Sequence, residues 1–158
     1  MNVRPITPED REWIADTVGT AFGSARLISN EHIIEDASLL DGFAAEVDGR
    51  PIGCALLNEI DGDTELVALV STYRGAGVGS ALLEAVVERG RRDGWTRLWL
   101  VTSNDNTEAI RMYQRAGWDW VDFRRDAITR ARVLKPEIPD TGNHGIPIRH
   151  EILFEAPL

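Results

Sequence analysis

The chain has one cysteine, three histidines and no apolar run long enough to span a bilayer. A lone Cys54 cannot form an internal disulfide, and His32, His144 and His150 have no spacing that resembles a zinc site. No metal is expected. The opening "MNVRPITPED" has no apolar core of leader length, so a soluble cytoplasmic protein is expected. Positive charge is also short. Seventeen Lys and Arg stand against twenty-six Asp and Glu, a net charge of −9. Such a field repels nucleic acid and anionic membrane, so an anionic ligand must be held by local donors.

The 158 residues, 43% apolar and 27% charged, suit one globular domain spanning 1–158. "NVRPIT" (2–7) reads as a first strand, with Thr7 capping a helix that has Pro8 in its first turn. A helix follows over "EDREWIADTVGTAF", and a second helical stretch is expected over 29–40. "GFAAEV" (42–47), "PIGCALLNEI" (51–60) and "TELVALVS" (64–71) are separated by Asp48-Gly49 and Asp61-Gly62, which signal an antiparallel meander. Helix 78–92 and the continuous apolar run "RLWLVTS" (97–103) then make a βαβ unit with parallel strands. Another helix begins at Asp105 or Asn106 and ends at Gly117, before strand "WDWVDF" (118–123). "DAITRARVL" can be helical, "KPEIPDTGNHGIP" is a Pro/Gly-rich loop, and "IRHEILFEA" (148–156) alternates like a final strand. The fold class is mixed α/β.

"RGAGVG" (74–79) places three glycines in five positions directly before a helix. Bare amides at a helix N-terminus bind phosphate without cationic side chains. A Walker loop needs a lysine where Gly79-Ser80 has none, and a dinucleotide fingerprint belongs at the start of a parallel sheet. A simple turn remains the alternative on this stretch alone.

Together with "RLWLVTSNDNTEAIRMYQRAGW", however, the loop resembles the GNAT superfamily of acyl-CoA-dependent N-acyltransferases. Arg74, Gly77 and Gly79 fall at its Arg/Gln-x-x-Gly-x-Gly/Ala positions. Asn106, Ala109, Tyr113, Gly117 and Trp118 match its Asn-x-x-Ala-x-x-x-Tyr-x-x-x-Gly-aromatic segment. The matching element order covers residues 2–123. The resemblance implies a mostly antiparallel mixed sheet, flanked by helices on both faces, whose two parallel central strands splay apart. It implies acetyl-CoA as cosubstrate, with the pantetheine arm along Leu69 and Val70. The diphosphate would sit on the amides of Arg74, Gly75, Ala76, Gly77, Val78, Gly79 and Ser80. Asn106 and Ala109 would border the cofactor, and Tyr113 would face the sulfur. The chain departs from the family's common Val-x-Pro-x-x-Arg, since "VSTYR" is one residue shorter and lacks the proline. The oxyanion amide is therefore open by a residue around Val70.

The implied reaction is direct attack of a primary amine on the thioester. An alkylamine has a pKa of about 10.4, so proton transfer to an ordinary glutamate is uphill by about 6 units, roughly 8 kcal/mol. Glu65, on the strand before the loop, is the candidate base, and it needs burial or an intervening water to act. Tyr113 is the candidate acid toward the leaving thiolate. Arg149 and Glu151, after the long tail loop, are candidates to line the acceptor pocket. The tail is read as the acceptor-side wall. "RGRR" (89–92) suits a helix C-terminus, with the 3′-phosphate of CoA as its other possible partner. A CoA-binding regulatory domain of the same fold, without catalysis, is the rival reading. The acceptor is a small-molecule or peptide amine, and a homodimer is possible.

Overall fold

The computed structural model describes residues 1–158. Its strands are β1 (Asn2–Pro5), β2 (Leu27–Ser29), β3 (His32–Ile34), β4 (Asp41–Val47), β5 (Arg50–Ile60), β6 (Asp63–Ser71), β7 (Arg97–Ser103), β8 (Asp119–Arg124) and β9 (Glu151–Glu155). Its helices are α1 (Arg11–Phe22), α2 (Val78–Asp93), α3 (Thr107–Arg115) and α4 (Ala127–Leu134). Seven strands form one sheet in the order β1-β4-β5-β6-β7-β9-β8, while β2 and β3 make a separate hairpin. All the pairings in the large sheet are antiparallel except β6–β7.

Each meander turn follows from its two residues. Asp48-Gly49 and Asp61-Gly62 all have positive φ, as a two-residue hairpin loop with matching twist requires. The helices cover both faces. On one, Leu82, Leu83 and Val86 of α2 and Tyr113 of α3 pack on Leu57, Leu66, Leu98, Leu100 and Phe154. On the other, Ile14 and Val18 of α1 pack on Cys54, Leu56 and Ala68.

The expected second helix over 29–40 is instead the β2–β3 hairpin followed by a single 3-10 turn at Ala37–Leu39. Asn30 and Glu31 both have left-handed φ, 49° and 64°, which ends any helix there and reverses the chain. β-branched Ile28, Ile33 and Ile34 then pair across the turn. The last strand begins at Glu151 rather than 148. The backbone just before it is diverted, with Arg149 O accepting from Ile128 N and His150 O from Asn104 N.

Two irregularities position the site. Leu57 pairs with Leu66 but Leu56 pairs with Ala68, so Val67 is an extra residue, a bulge in β6. Gly53 lets the first turn of α2 approach the sheet: a Cβ there would lie 2.6 Å from Val78 Cγ1 and 2.9 Å from Val70 O. Gly53→Ala should therefore lift the start of α2 and cost about 1–3 kcal/mol in urea unfolding. Unchanged stability would mean that the contact is not tight.

Candidate active site

Parallel pairing of β6 with β7 is confined to Asp63↔Arg97, Thr64↔Leu98 and Glu65↔Trp99. Past the bulge, β6 runs on to Ser71 bonded only to β5, and β7 runs on to Ser103 bonded only to β9. The sheet splits there into a wedge. Which β6 groups face the wedge follows from alternation. Thr72 N donates to Ile52 O at 2.9 Å, so the amides of Val70 and Ala68 also point at β5. The amides and carbonyls of Leu69 and Ser71 are left facing the gap. Within the one-residue range left open around Val70, this pairing turns the Val70 amide toward β5 and leaves its neighbours Leu69 and Ser71 facing the gap.

Beside the wedge, α2 starts after Gly77 (φ 74°) with no side-chain cap, and Gly75 also has φ 77°. Its first-turn amides have no acceptor within the helix. A Cβ on Gly79 would crowd Met112 Sδ at 3.1 Å, so the bare backbone also lets α3 close in.

The wedge and this helix tip open into a single cavity of about 600 Å³. It is lined by Leu69, Arg74, Gly75, Gly77, Val78, Gly79, Ser80, Asn106, Ala109 and Tyr113, all but Val70 and Ala76 of the residues expected at a cofactor. Asn106 is the N-cap of α3, its Oδ1 accepting from Ala109 N at 3.4 Å while Nδ2 donates to Thr102 Oγ1 at 3.3 Å. Tyr113 is buried against the rings of Phe154 (5.5 Å) and Trp118 (6.0 Å), and its hydroxyl makes no hydrogen bond within the protein. Burial pushes its phenol above the ordinary range. Ser71, Tyr73, Glu108, Met112, Asn143 and His144 complete the lining and carry no motif of their own.

Glu65 is not in this cavity lining. It is buried on β6, where its carboxylate accepts from Ser29 Oγ, and burial raises its pKa. Glu151 is buried on the same sheet face, accepting from Asn30 N at 3.4 Å with Arg124 at 3.8 Å. Burial, reinforced by Glu65 and Glu31, raises it too, against the backbone bond and Arg124. Arg149 does not join this pair: its exposed guanidinium is committed to Asp126 at 3.0 Å. The basic "RGRR" stretch sits in the last turns of the sixteen-residue α2, about 15–20 Å along the helix from the glycine loop, and cannot reach a phosphate held there. Arg111 and Arg115 of α3 instead line a second hollow, which shares Ser80, Glu108 and Met112 with the first.

Residues 8–118 match the family model described as the acetyltransferase (GNAT) family. The chain belongs to the GNAT acetyltransferases. Bacillus subtilis YdhI, itself uncharacterised, is 44% identical over 156 residues, covering 98% of this chain and 96% of its own. B. subtilis YxbD, also uncharacterised, is 30% identical over 159 residues, covering 100% and 99%. Among solved structures, a GNAT acetyltransferase from Elizabethkingia anophelis with acetyl-CoA bound superposes with a TM-score of 0.70. It is 21% identical and covers 99% of this chain and 97% of that one. At that identity the likeness establishes the GNAT fold. No helix of this GNAT domain is long and apolar enough to cross a membrane.

The single thiol of this GNAT protein is unreactive. Cys54 is fully buried and burial pushes its pKa up to about 12. The folded protein should give no signal with a disulfide-based thiol reagent at neutral pH, and a full equivalent in denaturant.

Proposed function

We propose that this GNAT protein transfers an acetyl group from acetyl-CoA to a primary amine. The observation that carries this is the wedge between β6 and β7 opening, in one cavity, onto the uncapped tip of α2 and the unbonded Tyr113 hydroxyl. The residues fit the cofactor. Amides of Val78, Gly79 and Ser80 suit a diphosphate at the α2 N-terminus. The edge groups of Leu69 and Ser71 suit the amide-bearing arm. Bound acetyl-CoA supplies an activated thioester carbonyl. A Leu69 or Ser71 amide then meets the carbonyl oxygen as charge grows on it.

Tyr113 stays protonated and donates to the sulfur. Transfer from a phenol of pKa ~10 to a thiolate of pKa ~8.5 costs only about 2 kcal/mol in water. Burial opposes complete ionisation, so the group works as a strengthening hydrogen bond rather than by giving up its proton. Glu65 serves as base through water, because it lies on the other side of β6 from that hydroxyl. Its raised pKa narrows the gap to an alkylammonium.

The test is release of CoA thiol from acetyl-CoA across a panel of amines, with acetylated amine as product. The unreactive Cys54 gives that assay a clean baseline. Binding of acetyl-CoA without turnover on any amine would favour a regulatory domain.

A further inference from the structure

The tail loop is expected at the acceptor side, yet Asn143 and His144 near its tip line the same cavity as the glycine loop. What holds them there is specific. Buried Asp105, at the end of β7, accepts through Oδ2 from both Asn143 N (3.0 Å) and Asn143 Nδ2 (3.1 Å). Gly142 is required for that approach, since a Cβ on it would lie 2.1 Å from the same oxygen. Asn104 fastens the return of the loop, donating to Pro147 O and accepting from the amides of Arg149 and His150, each at 2.9 Å. The loop is also closed on itself, with Gly142 N bonded to Ile146 O at 2.9 Å.

Within this strap His144 has φ 58° and ψ 22°, a left-handed conformation that a β-carbon disfavours. Glycine would take it at less cost. Instead the position carries an imidazole whose Nε2 lies 3.5 Å from Glu108 Oε1, and both residues line the cavity.

Resting on the acetyl-CoA reading above, we propose that residues 141–147 form a clamp on the pantetheine arm, with His144 as its contact residue and Asp105 as the residue that positions it. The arm has two amides, and the strap offers matching groups. Asn143 Oδ1 accepts nothing within the protein, and the ring of His144 is exposed on a residue that lines the cavity. The occupant under the strap is the arm and not the nucleotide. The strap is tied to Asp105 just past β7, across the wedge from Leu69 and Ser71, whereas Arg111 and Arg115, the cations suited to a nucleotide's phosphate, line only the adjoining hollow and not this cavity.

Two variants test it by calorimetric titration with CoA and, separately, with 3′,5′-ADP, which lacks the arm. His144→Gly relieves the backbone while removing the contact. It should raise the Kd for CoA by up to about tenfold, as for one lost hydrogen bond, leave 3′,5′-ADP within about twofold, and keep or raise the Tm. Asp105→Ala should weaken CoA in the same selective way. Equal weakening of both ligands, or unchanged CoA binding in His144→Gly, overturns the clamp while leaving the acetyl-CoA reading intact. Failure of the wild-type protein to bind CoA overturns both, and is seen before any variant is made.

Discussion

Tyr113→Phe should lower kcat for amine acetylation by about a hundredfold, with the Tm unchanged within a degree or two. The rate effect is that of removing a positioned proton donor from the leaving group. The stability effect follows from the site. The Tyr113 hydroxyl makes no hydrogen bond within the protein, so its loss leaves no buried partner unsatisfied. The ring keeps its packing on Phe154 and Trp118. A packing role alone would leave kcat untouched, and a fold defect would lower kcat and Tm together. The split between the two readouts is what assigns the hydroxyl to chemistry.

Glu65→Gln should separate rate from stability in the opposite direction. Its amide oxygen can still accept from Ser29 Oγ, so the shape of the site is kept. As base through water, Glu65 contributes on the order of a hundredfold, and the acid limb of the pH–rate profile should go with it. For stability the sign is set by burial, which raises the folded pKa of Glu65 above its unfolded value. The folded state then binds more protons than the unfolded one between those two values. Stability is greatest below the unfolded pKa, near 4.5, and falls as pH rises through the folded pKa. Glu151 is shifted the same way by the same cause, so the wild-type protein should lose stability over this window through two groups. In Glu65→Gln only the Glu151 part of that fall should remain, and the variant should be the more stable protein above the window. Chemical denaturation from pH 4 to 9 reads this directly. A variant less stable than wild type at pH 8 would mean that ionised Glu65 is held favourably and burial is not the dominant influence on it.

Much of this was legible in the residues, and the exceptions share a cause. Asp-Gly pairs sign their own turns because their φ requirement is local, and helix α2 announces itself by glycines followed by a periodic stripe. The motif positions around Arg74 and Asn106 name most of the cavity lining. What escaped depends on partners distant in sequence. The bulge at Val67 exists only in the register of β6 against β5. That register also decides that Leu69 and Ser71, not Val70, face the wedge. Residues 29–40 contain apolar positions that fit a helix stripe as well as a hairpin, and the left-handed Asn30-Glu31 turn decides between them. Arg149 looks like a pocket residue two places from Glu151, but Asp126 takes its side chain. His144 has no motif at all: its place in the cavity is set by Asp105, thirty-nine positions earlier in the chain.

The central claim is that the amine attacks a thioester lying in the β6–β7 wedge while both substrates are bound. Initial rates measured over a grid of acetyl-CoA and amine concentrations test it most directly. Direct attack gives double-reciprocal lines that intersect. Parallel lines, the pattern of an acylated enzyme formed before the amine binds, would contradict it.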